Sequence, residues 1–485
     1  MLGSIGGSVA CDASYARPHT QAERAALAGD EGSASDVPSS NALASEAEAG
    51  DAALEAAAAG ALLVSASSNG RYLVDGEGNP FLLVGQASWA LATRLQQPDA
   101  EFYLNDQATR GYNTVVVKFI DSAWTDTFPK NAYGELPFSG TLSGGHADWT
   151  TPNEAYWAQV DWVVEQCAAR DMLVIASPIF LGYAPPQGQY EDMVANGHAG
   201  ATAYGTFLGE RYRDYDNILW LVGGDKTAGT MLAGDALAMF TAFTNALKAA
   251  DTRHMVSAHF LQEQQSYQYP GPWQDYSFLY TGLITHEAAL GGWEFRGPVP
   301  MFLGEARYVD APWDGTPPTL QQLRGQAWQV MTSGGSGFVF GDEHVWHFDA
   351  QNAYADGPWR ENLDTAASHH QILIKNLFAS RDWHLLRPDR GNLLVTAGRG
   401  TRGQLSYVTA SRASDNSFAV VYIPSGGTIT VNLRRLSAPA TASWYDPTDG
   451  RYVAIGTGLR GTRTFTTPGS NAAGDNDWVL LLETP

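Results

Sequence analysis

Short apolar segments alternate with helix-like segments along the chain from residue 81 to residue 378. The apolar segments are continuous and rich in Val, Ile, Leu and Phe, as expected for strands buried on both faces. Eight of them cover residues 81–85, 113–120, 172–180, 217–225, 254–260, 277–286, 299–305 and 337–343. Strict strand-then-helix alternation over such a length predicts an α/β fold, namely a (β/α)8 TIM barrel, rather than a doubly wound sheet.

Charge and motifs exclude several classes of function. The 485 residues carry a formal net charge of −22, whereas nucleic-acid binding requires a basic face. No glycine-rich nucleotide motif follows the first strand, and neither Cys11 nor Cys167 lies in a zinc-binding spacing. We therefore expect no cofactor, no metal and no nucleic-acid partner. We also expect no membrane span, because no segment reaches ~18 consecutive apolar residues. Nothing in the sequence defines the oligomeric state.

Residues 1–65 differ in composition from the rest of the chain. The stretch from residue 21 to residue 60 consists mainly of Ala, Ser, Glu, Asp and Gly, without an aromatic residue. Such a segment buries too little apolar surface to offset its ordering entropy, which predicts a disordered tail. The start MLGSIGGSVAC, ending at Cys11, resembles the cleavage box of a bacterial lipoprotein. We expect a secreted or cell-surface enzyme; Ser8, where that box usually has Leu, favours the cytoplasmic alternative.

Polar side chains end most of the predicted barrel strands. In a TIM barrel the chemistry lies at these C-terminal strand ends, because the loops that follow them form one face. A carboxylate directly after an apolar strand is costly unless it has partners, so several around one rim predict a cleft for acid–base chemistry. The strand-end residues are Lys118, Asp225, His259, His286, Glu305, Asp342 and Glu343.

Asp225 and Glu305 are the predicted catalytic pair. Hydrolysis of a glycosidic bond needs one carboxyl group that donates a proton and one that acts as a nucleophile or base. Asp225 ends the segment WLVGGD, in which two glycines allow the backbone to approach a ligand. Glu305 ends PMFLGE, and Arg307 is expected to keep it ionised. Retaining barrel glycosidases commonly place the acid/base after strand four and the nucleophile after strand seven, which assigns these roles to Asp225 and Glu305.

The segment GDEHVWH offers a rival pair, Asp342 and Glu343. Adjacent residues on a strand point to opposite faces, so at most one of the two would face the cleft. We expect Glu343 to contact substrate and Trp346 to serve as a platform for a sugar ring. A metal site built from Asp342, His344 and His347 is a weaker alternative.

Three further strand-end side chains are candidates for substrate binding. Lys118, His259 and His286 carry groups that hydrogen-bond to sugar hydroxyls. Packing against neighbouring side chains is an equally good explanation for each of them.

Four segments of the chain resemble the apiosidase-like glycoside hydrolases over residues 70–380. They are RYLVDGEGNPFLLVGQASW, LNDQATRGYNTVVV, NILWLVGGD and GFVFGDEHVW. The family's acid/base falls on Asp225 and its nucleophile on Glu305. The family's first strand ends in Asp-Thr-Ala-Trp; here Gln86 stands in place of that Asp, while Trp89 matches and is expected to contact substrate. The resemblance implies a barrel enzyme that releases apiose from plant cell-wall pectin side chains.

The sequence after residue 382 changes to eight short, alternating apolar segments separated by turns rich in Gly, Pro, Asp and Ser. This pattern predicts an all-β sandwich of about 100 residues. It resembles the module named for collagen binding that is commonly fused behind such barrels, with LFASRDWHLLRPD as the junction and SWYDPTDGRY as its turn. We expect the module to pack on the barrel, and expect domains at 1–65, 66–380 and 381–485.

The predicted function is therefore glycoside hydrolysis of a polysaccharide or oligosaccharide. Because Gln86 departs from the family pattern, the alternative is a non-catalytic carbohydrate- or matrix-binding protein on a barrel scaffold. A barrel hydrolase that acts on an unrelated substrate with similar acids is a third possibility.

Overall fold

The computed structural model describes residues 62–485 except positions 126, 296, 314 and 349–357. The predicted lipoprotein-like box at Cys11, and the predicted tail up to residue 61, lie outside the described residues. Within the described ranges, no helix combines the length and the apolar character that crossing a membrane requires.

Eight parallel strands form the central sheet, and each lies inside one of the predicted apolar segments or overlaps it. They are β1 (Leu83–Ala87), β2 (Thr114–Lys118), β3 (Leu173–Ser177), β4 (Ile218–Gly223), β5 (Val256–His259), β6 (Ser277–Tyr280), β7 (Met301–Glu305) and β8 (Gly337–Phe340). The hydrogen-bonded order is β5-β4-β3-β2-β1-β8-β7-β6. β5 and β6 are the first and last strands of this order. Phe278 N of β6 donates a hydrogen bond to Ser257 Oγ of β5, so these two strands lie next to each other. This sheet and its surrounding helices confirm the predicted TIM barrel.

A short antiparallel sheet of Ser65–Ala66, Leu73–Val74 and Pro80–Phe81 precedes the barrel. The helices that surround the barrel strands are α1 (Leu91–Arg94), α2 (Gln97–Arg110), α3 (Glu154–Ala168), α4 (Tyr190–Tyr212), α5 (Ala228–Met231), α6 (Gly234–Ala250), α7 (Thr285–Glu294), α8 (Leu320–Met331) and α9 (Ala366–Ala379). Hydrogen bonds from nearby side chains determine where some of these helices begin. For example, α8 begins with a capping box in which the side chains of Thr319 and Gln322 each accept a hydrogen bond from the other's backbone N–H.

Alternation along β1 decides where Gln86 points. Leu83 and Ala87 belong to the core inside the barrel, whereas Val84 belongs to the core between strands and helices. Gln86 pairs in register with Phe340, which also lies in the outer core. Since neighbouring side chains on a strand face opposite ways, Gln86 faces the helices. The departure from the family's Asp therefore removes no side chain from inside the barrel.

The sixth strand is shorter than the sequence indicates. It ends at Tyr280, and His286 lies in the first turn of α7. The side chain of Thr285 donates to the backbone carbonyl of Gln326 on α8, which fixes the start of α7 against that helix. His286 is consequently a helix residue rather than a strand-end residue.

Two antiparallel sheets form the C-terminal domain and confirm the predicted sandwich. Its strands are β9 (Leu386–Pro388), β10 (Val395–Ala397), β11 (Thr409–Ala413), β12 (Phe418–Ile423), β13 (Thr428–Asn432), β14 (Ala440–Tyr445), β15 (Tyr452–Leu459), β16 (Thr462–Thr466) and β17 (Trp478–Glu483). The larger sheet has the order β9-β11-β12-β17-β14-β15, and the smaller sheet has the order β10-β13-β16.

The central strands β12 and β17 of the larger sheet are buried on both faces because one face of the sheet packs on the barrel. In β12, Val421 belongs to the core between the two sheets, whereas Val420 and Tyr422 join the barrel's outer core. The Tyr422 ring stacks on Trp328 of α8, with ring centroids 5.9 Å apart and an interplanar angle of 15°. The two domains therefore share one continuous apolar core.

Candidate active site

A left-handed turn directs Asp225 back into the barrel. Gly223, Gly224 and Asp225 have consecutive φ values of 106°, 116° and 45°. A Cβ on Gly223 would lie 2.5 Å from the carbonyl oxygen of His259, and one on Gly224 would lie 2.3 Å from the Phe180 ring. Glycine is therefore required at both positions. Asp225 itself occupies a backbone region that non-glycine residues seldom adopt, which is a common feature of functional sites.

An irregularity in β7 turns Glu305 inward. Leu303 pairs with Leu279, but Glu305 pairs with Tyr280. An advance of two residues along β7 therefore corresponds to an advance of one residue along β6, which is a β-bulge. In a regular strand Glu305 would face away from Phe302, which lies in the core inside the barrel. The extra residue at position 304 reverses that direction, as bulges near active sites often do.

Asp225 and Glu305 meet His259 at the C-terminal end of the barrel. One side-chain nitrogen or oxygen of each residue lies within 4.8 Å of one from each of the other two. Nε2 of His259 lies 3.2 Å from Oε2 of Glu305 and 3.7 Å from Oδ1 of Asp225. The side chains are 26%, 9% and 1% exposed for Asp225, Glu305 and His259. Asp225 is therefore the member nearest to solvent.

A hydrogen-bonded chain holds the other oxygen of Glu305. Tyr308 Oη donates to Oε1 of Glu305 at 2.8 Å, and Trp89 Nε1 donates to Tyr308 Oη at 2.8 Å. Burial raises the pKa of Tyr308 well above its usual value, and the neighbouring Glu305 raises it further. The phenol therefore stays protonated and remains a donor to the carboxylate.

Arg307 holds the loop that follows β7. Its guanidinium donates to the backbone carbonyls of Ala311 and Thr316, at 2.6 and 3.2 Å from Nη2. Because β7 ends at Glu305, the alternation that would place residues 305 and 307 on one face no longer applies. Tyr308 donates a hydrogen bond to the Glu305 carboxylate.

Asp225 has the electrostatic character of an acid. Burial raises the pKa of Asp225 to about 6, and the negative charge of Glu305 contributes, while His259 and Lys118 act in the opposite direction. A carboxyl group with such a pKa is protonated in a substantial fraction of molecules in weakly acidic solution, as a proton donor requires.

Lys118 is buried beside this pair. Its ammonium donates to Ser122 Oγ at 3.0 Å and lies 3.8 Å from Oδ1 of Asp121. Burial lowers the pKa of Lys118, and the charges of Asp121, Asp225 and Glu305 oppose that effect.

Aromatic rings surround the Lys118 ammonium. Nζ lies 4.0 Å from the ring centroid of Phe180, 5.3 Å from Trp346 and 5.5 Å from Trp89. The Trp89 ring is also stacked on His259, with centroids 5.6 Å apart and an interplanar angle of 14°. Four of the residues predicted to bind substrate thus cluster with the two carboxylates: Trp89, Lys118, His259 and Trp346.

Glu343 and Asp342 follow β8 rather than continuing it, since that strand ends at Phe340. Both are fully buried. Burial raises the pKa of Glu343 to about 8 and that of Asp342 to about 7. Asp342 and Glu305 both raise the pKa of Glu343, so Glu343 lies close enough to sense the charge of Glu305.

The alternative metal site of Asp342, His344 and His347 is not assembled. Nε2 of His344 lies 3.0 Å from Oδ2 of Asp310, while Asp342 accepts a hydrogen bond from the backbone N–H of His344. Within the described part of the chain, the group of at least three side chains spaced to share a metal ion is that of Asp225, His259 and Glu305.

His286 lies at the contact between the domains. Nδ1 of His286 lies 3.0 Å from Oε1 of Gln329, and Gly403 N of the C-terminal domain donates to Nε2 at 3.2 Å. Its ring stacks on Tyr407, with centroids 5.0 Å apart. Because the side chain is fully buried and both ring nitrogens are engaged, the expectation that His286 contacts sugar is wrong.

Sequence reasoning does not identify Tyr308, Phe180 or Ser122 as parts of the site. Tyr308 lies three residues after Glu305, beyond the end of the strand, where periodicity carries no information. In the sequence, Phe180 only ends an apolar segment. The close approach of Gly224 to its ring is the feature that connects it with Asp225, and that contact is visible only in three dimensions.

Comparison with known proteins identifies the family of each domain. The family model "Apiosidase-like, catalytic domain" matches residues 67–384, and the model "Putative collagen-binding domain of a collagenase" matches residues 388–483. No curated protein sequence matches the chain.

Solved structures share the architecture. A glycoside hydrolase family 5 protein from Bacteroides vulgatus has a TM-score of 0.74 at 22% identity, over 87% of this chain and 93% of that one. Another structure, described as a glycoside hydrolase, has a TM-score of 0.72 at 23% identity, over 87% of this chain and 96% of that one. Such identities show the fold alone. Because the apiosidase-like model spans more than half of the chain, this protein belongs to the apiosidase-like family and is a glycoside hydrolase.

Proposed function

We propose that this protein is a retaining exo-glycosidase that removes a terminal sugar of the apiose type from pectic side chains. The observation that carries the proposal is the short separation of the two carboxylates. One oxygen of Asp225 and one of Glu305 lie within 4.8 Å of each other. Retaining glycosidases have carboxyl groups about 5–5.5 Å apart, whereas inverting enzymes need about 6.5–9.5 Å to admit a water molecule.

In the first step Asp225 donates its proton to the oxygen of the leaving group as the glycosidic C–O bond breaks. Oε2 of Glu305 forms the new bond to the anomeric carbon. Asp225 is suited to protonate the departing chain because it is the most solvent-accessible of the three clustered side chains, at 26%. In the second step Asp225 takes a proton from water, the water oxygen bonds to the anomeric carbon, and Glu305 leaves as a carboxylate.

Tyr308 prepares Glu305 for this role. Its hydrogen bond to Oε1 stabilises the carboxylate and leaves Oε2 directed towards the His259–Asp225 side of the site. His259 is held by the stacked Trp89 ring and is placed to contact a sugar hydroxyl between the two carboxyl groups.

The walls of the site suit one terminal sugar. Trp89, Phe180 and Trp346 provide apolar faces, and Lys118 provides a cation that is kept away from bulk water. These side chains are at most 8% exposed, so the sugar-binding end is enclosed while the Asp225 end opens to solvent. An enclosed end of this kind favours removal of chain-terminal residues over cleavage within a chain. The apiose and pectin assignment rests on family membership alone.

The test is sugar release from a panel of plant pectins and pectic oligosaccharides, with NMR detection of the first anomer formed. Wild type should release a terminal sugar with retained configuration. Asp225→Asn and Glu305→Gln should each reduce turnover by at least ~10³-fold, which lies within the ~10²–10⁴ that acid–base catalysis supplies and below the loss expected for a nucleophile.

Two carboxyl groups outside the catalytic cluster supply controls, one exposed (Asp235) and one partly exposed (Glu287). Asp235→Asn changes the first turn of α6, and Glu287→Gln removes the carboxylate that pairs with Arg402. Both variants should retain wild-type turnover. Release with inverted configuration would reject the retaining mechanism, and near-full activity in Asp225→Asn or Glu305→Gln would reject the assignment of these residues. Binding of glycans without any hydrolysis would favour a carbohydrate-binding protein.

A further inference from the structure

Three buried ligand atoms of the active site converge without hydrogen bonds among the described residues. They are Oδ1 of Asp225, Nε2 of His259 and Oε2 of Glu305. The His259 side chain is only 1% exposed, and its Nε2 lies 3.2 Å from Glu305 and 3.7 Å from Asp225. Buried polar atoms in native proteins nearly always have a partner, so this convergence calls for an occupant.

We infer that the catalytic centre is also a binding site for a divalent transition-metal ion of the Zn²⁺ type, with Asp225, His259 and Glu305 as its three protein ligands. Zinc binds histidine nitrogen at about 2.0–2.1 Å and carboxylate oxygen at about 2.0–2.2 Å in a tetrahedral arrangement. Two ligand atoms on such an ion lie about 3.3–3.5 Å apart by simple trigonometry. The separations of 3.2 and 3.7 Å bracket this value.

The chemistry of the ligand set selects the class of ion. An imidazole nitrogen favours zinc and its neighbours in the transition series, whereas magnesium and calcium favour sites made only of oxygen atoms. Three protein ligands leave a fourth position of a tetrahedral ion open to water.

Charge and access both favour cation binding. Two carboxylates face each other in a largely buried site. Lys118 lies beside them and its charge opposes a bound cation, but its ammonium donates to Ser122 and is adjacent to Asp121, which offsets part of that charge. A divalent ion between Asp225 and Glu305 would reduce their mutual repulsion. Asp225 is the partly exposed ligand, at 26%, and its ligand oxygen lies within 4.8 Å of that of Glu305.

The surroundings of His259 set the expected strength and role of the site. Dedicated metal sites fix the second nitrogen of a histidine ligand with a hydrogen bond, but Nδ1 of His259 has none in the described part of the chain. The ion should therefore bind reversibly and more weakly than a structural zinc. Because it occupies both carboxylates, it should exclude a sugar and act as an inhibitor rather than as a cofactor.

The test measures binding without substrate, so its outcome is independent of the proposed glycosidase reaction. Chelator-treated full-length protein is titrated with Co²⁺, whose tetrahedral complexes absorb visible light far more strongly than octahedral ones. We expect an intense band that saturates at one ion per chain and disappears when Zn²⁺ is added. In His259→Gln and Glu305→Gln the affinity for Co²⁺ should fall at least ~10-fold, as expected when one ligand of a metal site is lost, with folding verified by circular dichroism.

A half-buried histidine–carboxylate pair gives the matched control. His146 lies 3.0 Å from Asp192 at the surface, and His146→Gln should leave the Co²⁺ band unchanged. Three outcomes would overturn the inference: no intense band, equal affinity in Glu305→Gln and wild type, or loss of the band in His146→Gln. If a hydrogen-bonded His259 bridges the two carboxylates instead, Co²⁺ will not bind.

Discussion

The hydroxyl of Tyr308 donates a hydrogen bond to Oε1 of Glu305 at 2.8 Å, while it accepts one from Nε1 of Trp89. Tyr308 therefore links the end of β7 to the segment that follows β1. The contact fixes the rotation of the Glu305 carboxylate, whose other oxygen lies 3.2 Å from His259. Tyr308 is a positioning residue, because it acts on substrate through Glu305.

Tyr308→Phe should lower kcat by about 10- to 100-fold, since a hydrogen bond to a charged group contributes about 1.5–3 kcal/mol. KM should change little, because the lost contact is to the nucleophile and not to the sugar. Tyr276→Phe is the matched control: it removes another fully buried hydroxyl, one that donates to the carbonyl of Trp220 at 2.9 Å. Both variants should lose similar stability, but only Tyr308→Phe should lose kcat. Equal kcat in the two variants would contradict the positioning role.

The raised pKa of Asp225 predicts the basic limb of the pH profile. The pKa is about 6 in the folded protein, and the proposed first step uses the protonated form. As the pH rises through about 6, the acid is lost, so kcat/KM for a substrate with a poor leaving group should fall about tenfold per pH unit. Asp225→Asn, assayed with an activated aryl glycoside that needs no proton, should lack this limb. A limb that persists in Asp225→Asn would assign the titration to another group.

The same shift predicts a pH-dependent change in stability. The pKa of Asp225 is raised from its ordinary value of 3.8 to about 6 on folding. Its contribution to stability is therefore fully present below about pH 4 and is lost as the pH rises through about 6, where the buried group ionises. Asp225→Asn removes the ionisation, so it should stabilise the protein at about pH 8 by about 1–3 kcal/mol relative to its effect at about pH 4. Chemical denaturation at the two pH values measures this difference, and an identical effect at both would contradict the assignment.

Much of the barrel follows from the sequence because its signals are local. Continuous apolar segments mark all eight strands, and glycines before Asp225 mark a close backbone approach. The predictions from sequence fail where the periodic pattern of apolar residues no longer follows a single strand. The apolar segment of strand six runs on into α7, so the pattern places His286 at a strand end although it joins the two domains.

The direction of Glu305 agrees with the prediction for a reason that the sequence does not contain. Position alone places it after the seventh strand, but its inward orientation depends on the bulge after Leu303. Similarly, the sequence places Gln86 near the end of the first strand without indicating which face it occupies, and its pairing with Phe340 places it in the outer layer. The register between strands is a tertiary property, and a shift of one residue moves every side chain of the strand to the opposite face of the sheet.

Gly304→Ala tests the bulge that orients the nucleophile. A Cβ at this position would lie 2.2 Å from the Phe278 ring, so either the ring or the bulge must move. Overpacking of this kind costs about 1–3 kcal/mol of stability. The kcat should also fall by more than ~100-fold, because the Glu305 carboxylate would point away from the anomeric carbon. Gly229→Ala in α5 is the control, since a Cβ there would meet nothing within 4 Å. Thermal unfolding and turnover measure both effects; full activity in Gly304→Ala would show that the bulge is dispensable.

The contact between the domains depends on a buried ion pair. Arg324 of α8 is fully buried and donates to both carboxylate oxygens of Asp477 in the C-terminal domain, and also to Asp475. Burial raises the pKa of Asp477, and Arg324 opposes that effect, so the carboxylate depends on this partner to remain charged.

Arg324→Met should destabilise the protein by about 3–5 kcal/mol, because it leaves Asp477 as a buried carboxylate without its cationic partner, held only by hydrogen bonds from Tyr422 and Asn471. Arg324→Met combined with Asp477→Leu removes both charges and should recover most of that loss, since a well-packed apolar pair replaces a buried ion pair at little cost. Arg451→Met is the control, because Arg451 pairs with Asp449 at the surface and exposed pairs contribute about 0–1 kcal/mol. Denaturant titration of wild type and these variants, with Asp477→Leu alone completing the cycle, gives the coupling energy. If the double variant is no more stable than Arg324→Met, the cost arises from lost packing and not from the unpaired charge.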